Sequence, residues 1–306
     1  MSIVTPSYNQ APFLEEAIRS VLLQDYPDLE YFVIDGGSTD GSVEIIRRYA
    51  PWLAHWVSEP DRGQSDAVNK AWMRATGEIL AYLNSDDLYP PGAVRAAVGH
   101  LCAHPEVGVV YGAYTVIDER GAVLEPLRRP SAWTPAMPMR GLPAHAMFFR
   151  RDVLARVGFL DIGLHFAMDA DLCARLALAG VRFERVPGGA LIRVRHWPGA
   201  KSFNWSEAAL AEVWGNWERL ARSPGAPPGI RDRLPAILAK ACLWPAYRSL
   251  ERGLPQDARR LLWRSVRTHW PIALSGEFLR ILGGALLGPR ARALLRSMRQ
   301  PLRRRR

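Results

Sequence analysis

Cysteine is scarce in this sequence: Cys102, Cys173 and Cys242 are the only three, widely spaced and each set among apolar neighbours. That excludes a disulfide framework and any cysteine-based zinc spacing. Long apolar runs are missing too. The best candidate, Trp270–Leu287, is broken by Glu277 and Arg280 and falls short of an uninterrupted spanning helix. Glycine is absent from "TPSYNQAPF", the stretch after the first apolar run, so no glycine-rich phosphate loop opens the chain. A charged n-region and apolar h-region find no room either, because Ser2–Thr5 already reads as a structural strand. A cytoplasmic protein is expected.

Acid is the last shortage, and it is local. From Glu207 onward 20 basic residues (Lys240 and nineteen Arg) face seven acids, which leaves 20 basic and 23 acidic residues before that point. A cationic tail behind a slightly acidic front suggests an anionic surface, membrane headgroups or nucleic acid; an Arg-biased solvated helical face is the plainer alternative. What is present in quantity is apolar residue, 48% of 306, enough to bury a sizeable core in one large domain or two.

Periodicity divides the front into alternating strands and helices. Strands are expected at Ser2–Thr5, Glu30–Ile34, His55–Ser58 and Ile79–Leu83, with helices at Pro12–Gln24, Ser42–Tyr49, Ser65–Ala75 and Pro91–His104. An antiparallel addition follows in Val107–Val116 and Ala122–Glu125, then a Pro-rich loop Pro126–Pro143, a strand Ala144–Phe149, helices Arg151–Val157 and Ala167–Leu178, and a last strand Ala190–Arg195. Such alternation implies an α/β fold with a parallel sheet, whose ligands lie beyond the carboxyl ends of the strands. From about Ser206 the pattern turns helical and Arg-rich, so residues 1–205 and 206–306 are expected to form separate regions.

Two polar clusters end apolar strands. In "VIDGGSTDGS" Asp35 can accept a hydrogen bond from a ring N–H, while Gly36 and Gly37 let backbone approach a flat ligand. Ser38, Thr39 and Asp40 can equally cap the helix that follows. In "LNSDD" Asp86 and Asp87 are adjacent carboxylates directly after Ile79–Leu83. Adjacent acids repel unless screened, and Mg²⁺ is usually held by one or two carboxylates plus substrate phosphates, which points to a nucleoside diphosphate. A surface turn is the alternative for an Asp-Asp pair taken alone.

These clusters, with "VTPSYNQAPFLEEAIRSVLLQDYP", "SEPDRGQSDAVNKAW", "GEILAYLNSDDLYPPGAV" and "GFLDIGLHFAMDADLCARL", resemble the family 2 glycosyltransferases of GT-A fold, from Ser2 to roughly Lys201. The resemblance implies a Rossmann-like, mixed but mostly parallel sheet flanked by helices, with an α-helical C-terminal extension. It further implies that Thr5, Pro6 and Tyr8 line the base and ribose pocket, that Asp35 accepts from the base, and that Asp61, Arg62 and Gly63 close over the nucleotide. Asn84, Ser85 and Asp86 would face the donor, and Asp86 and Asp87 would hold Mn²⁺ or Mg²⁺. Asn84 stands where many relatives carry the first acid of an Asp-x-Asp triplet. Asp169 in "MDADLCARL" would be the catalytic base, with Met168 in place of the family's usual glutamate. In "RHWPGAKS", His196 would ligate the metal or touch phosphate and Lys201 would neutralise diphosphate charge, although Trp197 and Ala200 loosen that match. His145 is a candidate near the acceptor, with a structural role as its alternative.

The chemistry needs such a set. Expelling a nucleoside diphosphate builds negative charge that a divalent cation stabilises, and the acceptor hydroxyl needs a carboxylate to take its proton, a contribution of about 10²–10⁴-fold. One base opposite the leaving group gives inversion. The expected activity is sugar transfer from a nucleoside-diphosphate sugar to a hydroxyl of a glycan or polyprenol-linked acceptor, in cell-surface polysaccharide or glycoconjugate assembly. The tail interleaves Trp205, Trp214, Trp217, Trp244, Trp263 and Trp270 with Arg, as cationic amphipathic helices at membrane interfaces do, which would dock the enzyme on the inner face of the cytoplasmic membrane. A basic nucleic-acid-binding protein, suggested by net charge and Arg303–Arg306, leaves the front acids unexplained. A sugar-nucleotide pyrophosphorylase would want the glycine-rich loop that is missing.

Overall fold

A computed structural model of the chain describes residues 1–130, 146–226 and 229–286. It divides into two compact units, 1–198 and 199–306.

The first unit is built on an eight-stranded sheet. Its strands are β1 (Ser2–Ser7), β2 (Glu30–Asp35), β3 (His55–Ser58), β4 (Ile79–Tyr82), β5 (Val109–Ile117), β6 (Val123–Arg128), β7 (Met147–Arg150) and β8 (Phe183–Arg195). Spatial order is β3-β2-β1-β4-β7-β5-β6, with β8 paired to β5. β1, β2, β3 and β4 run parallel; β7 is antiparallel between β4 and β5, and β8 is parallel to β5. The sheet is thus mixed and mostly parallel, as expected. Because β7 and β6 pair with successive halves of β5 while β8 pairs with both, β6 and β7 share one edge of β5 and β8 takes the other.

Alternate residues of the strands feed two cores. Ile3, Tyr31, Val33, Ala81, Val110 and Phe148 face helices α1 (Ala11–Leu22), α2 (Ser42–Tyr49) and α4 (Ala93–Ala103), through Leu14, Ile18, Ile46, Val94 and Leu101. Val4, Phe32, Ile34, Leu80, Tyr82 and Phe149 face α3 (Gln64–Arg74), α5 (Arg151–Val157) and α6 (Met168–Leu178), through Val68, Trp72, Leu154 and Leu172. Burial on both faces is why β1 and β2 read as continuous apolar runs rather than alternating ones. Each large side chain so buried contributes about 1.5–3 kcal/mol.

Two expectations are corrected. β6 runs to Arg128, inside the stretch read as a Pro-rich loop; Pro126 is tolerated because β6 lies at a sheet edge, where a missing N–H costs no ladder bond. The rest of that loop from residue 131, and the first residues of the strand read at Ala144–Phe149, lie outside the described residues. β8 begins at Phe183, seven residues before the expected Ala190. Its first half, "FERVPGG", lacks an apolar pattern, and its pairing with β5 shifts register between Tyr111 and Tyr114.

The second unit is helical: α7 (Glu207–Arg222), α8 (Ile230–Ala241), α9 (Leu243–Glu251), α10 (Pro255–Thr268) and α11 (Gly276–Leu286) enclose Leu210, Leu243, Ala246, Leu262, Phe278 and Ile281. Part of its Arg and Trp content is internal packing. The Arg264 guanidinium lies 4.2 Å from the Trp214 ring centre, and the buried Arg248 stacks on Trp244 at 4.5 Å and Phe203 at 4.6 Å. Trp217 is buried, whereas Trp263 and Trp270 are 64% and 67% exposed. Among the described residues no helix is long and apolar enough to cross a membrane.

Candidate functional site

The polar clusters collect at the carboxyl ends of β1, β2 and β4, as parallel-sheet geometry requires. Asp35, the last residue of β2, is fully buried. Its Oδ2 accepts from the Gly37 N–H at 3.1 Å, the Ser38 N–H at 2.8 Å and the Ser58 hydroxyl at 2.7 Å, and its Oδ1 accepts from the Ser38 hydroxyl at 2.5 Å. Three of the four donors converge on Oδ2 and one reaches Oδ1, so these bonds hold the carboxylate in place at the end of β2. The rest of "VIDGGSTDGS" clips the loop after β1 to the loop after β2: Asn9 N–H donates to Ser38 Oγ, Thr39 N–H to Asn9 Oδ1, and Ala11 N–H to Asp40 Oδ2. Burial opposes the Asp40 charge, but donors from Ser42 and Ala11 hold its carboxyl below the usual range.

Pro6 and Ser7 run beside Ile34 and Asp35 in the parallel register, and Tyr8 beyond them is 62% exposed. Thr5 is fully buried, its hydroxyl 2.9 Å from the Tyr31 phenol oxygen. Asp61 lies against Gly36: a Cβ there would stand 2.9 Å from Asp61 Oδ2, so only glycine admits this approach. Burial raises the Asp61 carboxyl above its ordinary range; the Gly63 N–H, donating at 2.7 Å, pulls the other way, and the charges of Asp66 and Asp35 add to the rise. Gly63 has φ +103°, a left-handed value, and the His165 ring packs on it. Arg62 pairs with Asp66 at 3.1 Å.

Next along the rim, Gln64 Nε2 donates to Asn84 Oδ1 at 2.7 Å, joining the start of α3 to the "LNSDD" turn. Ser85 is buried there. Asn84 Nδ2 donates to Asp87 Oδ2 at 3.1 Å, and the Arg195 backbone N–H donates to Asp87 Oδ1 at 2.8 Å. Burial pushes the Asp87 carboxyl up to about 7, against those two donors and the Arg195 charge. The Trp197 indole donates to Asp86 Oδ2 at 2.9 Å, and its ring meets Phe13 edge-on at 4.9 Å. The Arg195 guanidinium is buried among the carbonyls of Asp86, Asp118 and Glu119 and the Glu16 carboxylate, over the Phe13 ring.

Asp169 sits in the first turn of α6, where the Tyr82 hydroxyl donates to its Oδ1. Burial, then the Asp169 charge, raise the Tyr82 phenol well above its ordinary value, so it stays a donor. Tyr82 is the last residue of β4, so the base candidate is tied to the strand that leads into Asp86 and Asp87. Two further ties steady the segment before α6. Asn69 of α3 bonds both the N–H and the C=O of Leu160, and Ser65 donates to the Leu164 carbonyl and the Met168 sulfur. Met168 is buried in the core and fills its space as a hydrophobe.

Asn84, Asp86 and Asp87 are therefore joined through Arg195, Asp61 lies against the Gly36 that follows Asp35, and Asp169 is tied to the end of β4 by Tyr82. His196 follows Arg195, and its N–H donates to the Ile117 carbonyl at 2.9 Å. Lys201 is exposed in a short turn, Lys201–Phe203, of the second unit. His145 lies outside the described residues. Arg195, Trp197, Tyr82, Ser58 and Gln64 were missed as site residues by sequence reasoning; a charged residue closing an apolar strand, the signal that marked Asp35, also marks Arg195. The oxygen donors of Asp86 and Asp87 are of the hard kind that Mg²⁺ and Mn²⁺ take, and a cation there would stabilise the charge that burial disfavours, so these residues fit such an ion.

Comparison with known proteins accords with this geometry. Residues 2–159 match the family model described as "Glycosyl transferase family 2". An uncharacterized glycosyltransferase of Mycobacterium tuberculosis is 32% identical over 183 residues, covering 58% of this chain and 69% of the relative. The putative teichuronic acid biosynthesis glycosyltransferase TuaG of Bacillus subtilis is 40% identical over 90 residues, 28% of this chain and 36% of TuaG. Among solved structures, a mannosyltransferase of Pyrobaculum calidifontis, in complex with GDP-Man and Mn²⁺, superposes with TM-score 0.61 at 24% identity, covering 93% of this chain and 85% of that one. That likeness establishes a GT-A-type fold.

Proposed function

Since the chain belongs to glycosyl transferase family 2, we propose that it moves a sugar from a nucleoside-diphosphate sugar to a hydroxyl of a glycan or polyprenol-linked acceptor, with inversion at the anomeric carbon. The observation that carries this reading is the Tyr82–Asp169 hydrogen bond, which ties a carboxylate on α6 to the end of the strand that leads into the Asp86–Asp87 turn.

In the proposed mechanism Asp35, Asp61 and the glycines between them form the base-side wall of the donor pocket, with Pro6 and Tyr8 alongside. Asp86 and Asp87, with His196 as a further candidate, would hold a divalent cation, which when bound supplies charge stabilisation for the departing diphosphate. Asp169 takes the acceptor proton through the carboxylate oxygen not held by Tyr82. The Mn²⁺ in the mannosyltransferase complex and the naming of TuaG for teichuronic acid biosynthesis support a metal-assisted enzyme of cell-surface polysaccharide assembly.

The reading extends to location. Arg259, Arg260, Trp263 and Arg267 are exposed along α10, opposite the buried Ala258, Leu261 and Leu262, a cationic face with an aromatic anchor that suits an anionic membrane on the cytoplasmic side. The deciding experiment incubates the chain with UDP-, GDP- and dTDP-sugars, Mn²⁺ and saccharide acceptors, and reads products by NMR. An α-linked donor giving a β-linked product supports the proposal. Retention of configuration, or no transfer with any donor, defeats it.

A further inference from the structure

A second group of metal-type ligands lies at the other end of the sheet. His100 of α4 and His104, which caps that helix, are one turn apart and share its face, their ring centres 4.5 Å from each other. Glu184, the second residue of β8, brings Oε2 to 2.9 Å from His100 Nε2. One ligand atom from each of the three lies within 4.8 Å of the others. Two imidazoles and a carboxylate, drawn from a helix and a strand, are a donor set that Zn²⁺ takes; bonds of about 2.0–2.2 Å put tetrahedral donors roughly 3.4 Å apart, so closure needs on the order of 1 Å of side-chain movement.

The surroundings permit this. All three side chains are half-buried and none is sealed from solvent. Arg182 pairs with Glu184 but also reaches Glu106 at 3.2 Å, so it can release the Glu184 carboxylate without losing an anionic partner. Glu106 Oε1 stands 3.9 Å from His104 Nδ1, adding negative charge beside the cluster. The backbone there is fixed, since the Arg150 guanidinium binds the carbonyls of Leu101 and His104.

We propose that His100, His104 and Glu184 form a zinc-class metal site separate from the Asp86–Asp87 turn, with three protein ligands and a fourth position open to water. Val110 is the register partner of Glu184 and Ile117 that of Arg195; seven residues of strand at ~3.3 Å each put the two places about 23 Å apart. Donor chemistry sorts their ions, because imidazole favours zinc-like metals whereas the carboxylate turn suits Mg²⁺ or Mn²⁺. A bound ion would pin the end of α4 to β8 and stabilise the fold by mass action.

The full chain, stripped with chelator, is titrated with Zn²⁺ by calorimetry and with Co²⁺ by visible absorption. One equivalent of Zn²⁺ and a tetrahedral Co²⁺ band are expected in the parent and in Asp87→Asn. His104→Gln removes a half-exposed ring and should leave the circular dichroism unchanged while weakening Zn²⁺ at least about tenfold and abolishing the band. His100→Gln should behave alike. The proposal is overturned if His104→Gln binds Zn²⁺ as the parent does, if Asp87→Asn abolishes the band, or if the parent takes up no Zn²⁺.

Discussion

A buried aspartate stands at the end of β2 and another in the turn after β4, and their surroundings treat them differently. Asp35 is met by four donors from Gly37, Ser38 and Ser58, all supplied by its own and the adjoining strand end. Asp87 is just as deeply buried, yet burial prevails over Arg195 N–H and Asn84 and lifts its carboxyl to about 7. A carboxylate met by several donors of its own loop stabilises that loop. One whose charge the fold disfavours is held at a cost in stability, which is what a site awaiting a cation looks like. On the proposed reading the first turn is a wall of the donor pocket and the second leaves electrostatic work for a ligand.

The largest effect expected is on neither turn but on Asp169, the proposed base tied to the end of β4. Asp169→Asn should lower transfer about 10²–10⁴-fold while nucleotide binding stays within error, measured by initial rates and calorimetry. Next, Asp87→Asn should abolish any Mn²⁺-dependent gain from nucleotide, yet without metal it should melt several degrees above the parent. An aspartate titrating near 7 in the fold, against an ordinary 3.8, stabilises fully only below about pH 4 and loses that stability as pH rises to 7. The melting gap between variant and parent should therefore widen from about pH 5 to about pH 8. A gap that stays flat across that range would show that Asp87 is ionised at no cost.

The first turn should respond in the opposite sense. Ser38→Ala removes one donor from Asp35, the hydroxyl on Oδ1, and should cost roughly 1–3 kcal/mol in urea unfolding, with the Mn²⁺ response intact. Smaller still, Tyr82→Phe should reduce kcat about tenfold, ~1.4 kcal/mol, with KM for the donor unchanged, because the lost hydroxyl holds the proposed base Asp169.

Much of this was legible beforehand, and the limit has a physical origin. Strands β1, β2 and β4 and their helices stood out because a sheet buried on both faces needs apolar runs, and Asp35, Asp86 and Asp87 stood out as charges following such runs. Tyr82 did not, because an aromatic at the end of a strand reads as core, and its partner Asp169 lies 87 residues away. Trp197 looked like a departure from the family pattern; the fold turns it into the donor that holds Asp86. Arg195 was hidden for the same reason, its four acceptors coming from three separate segments. β8 escaped in its first half because "FERVPGG" offers no periodicity, its pairing being dictated by β5 alone. Chemistry written in one segment could be read; chemistry assembled by register could not.

The most direct test is thermal melting of the intact chain with UDP, GDP and dTDP, with and without Mn²⁺, in the parent and in an Asp86→Asn, Asp87→Asn double variant. At least one nucleoside diphosphate should raise the parent's Tm with Mn²⁺ and hardly at all without it, and the double variant should lose that rise. An equal rise in both proteins regardless of Mn²⁺, or none in the parent with any nucleotide, would contradict the account.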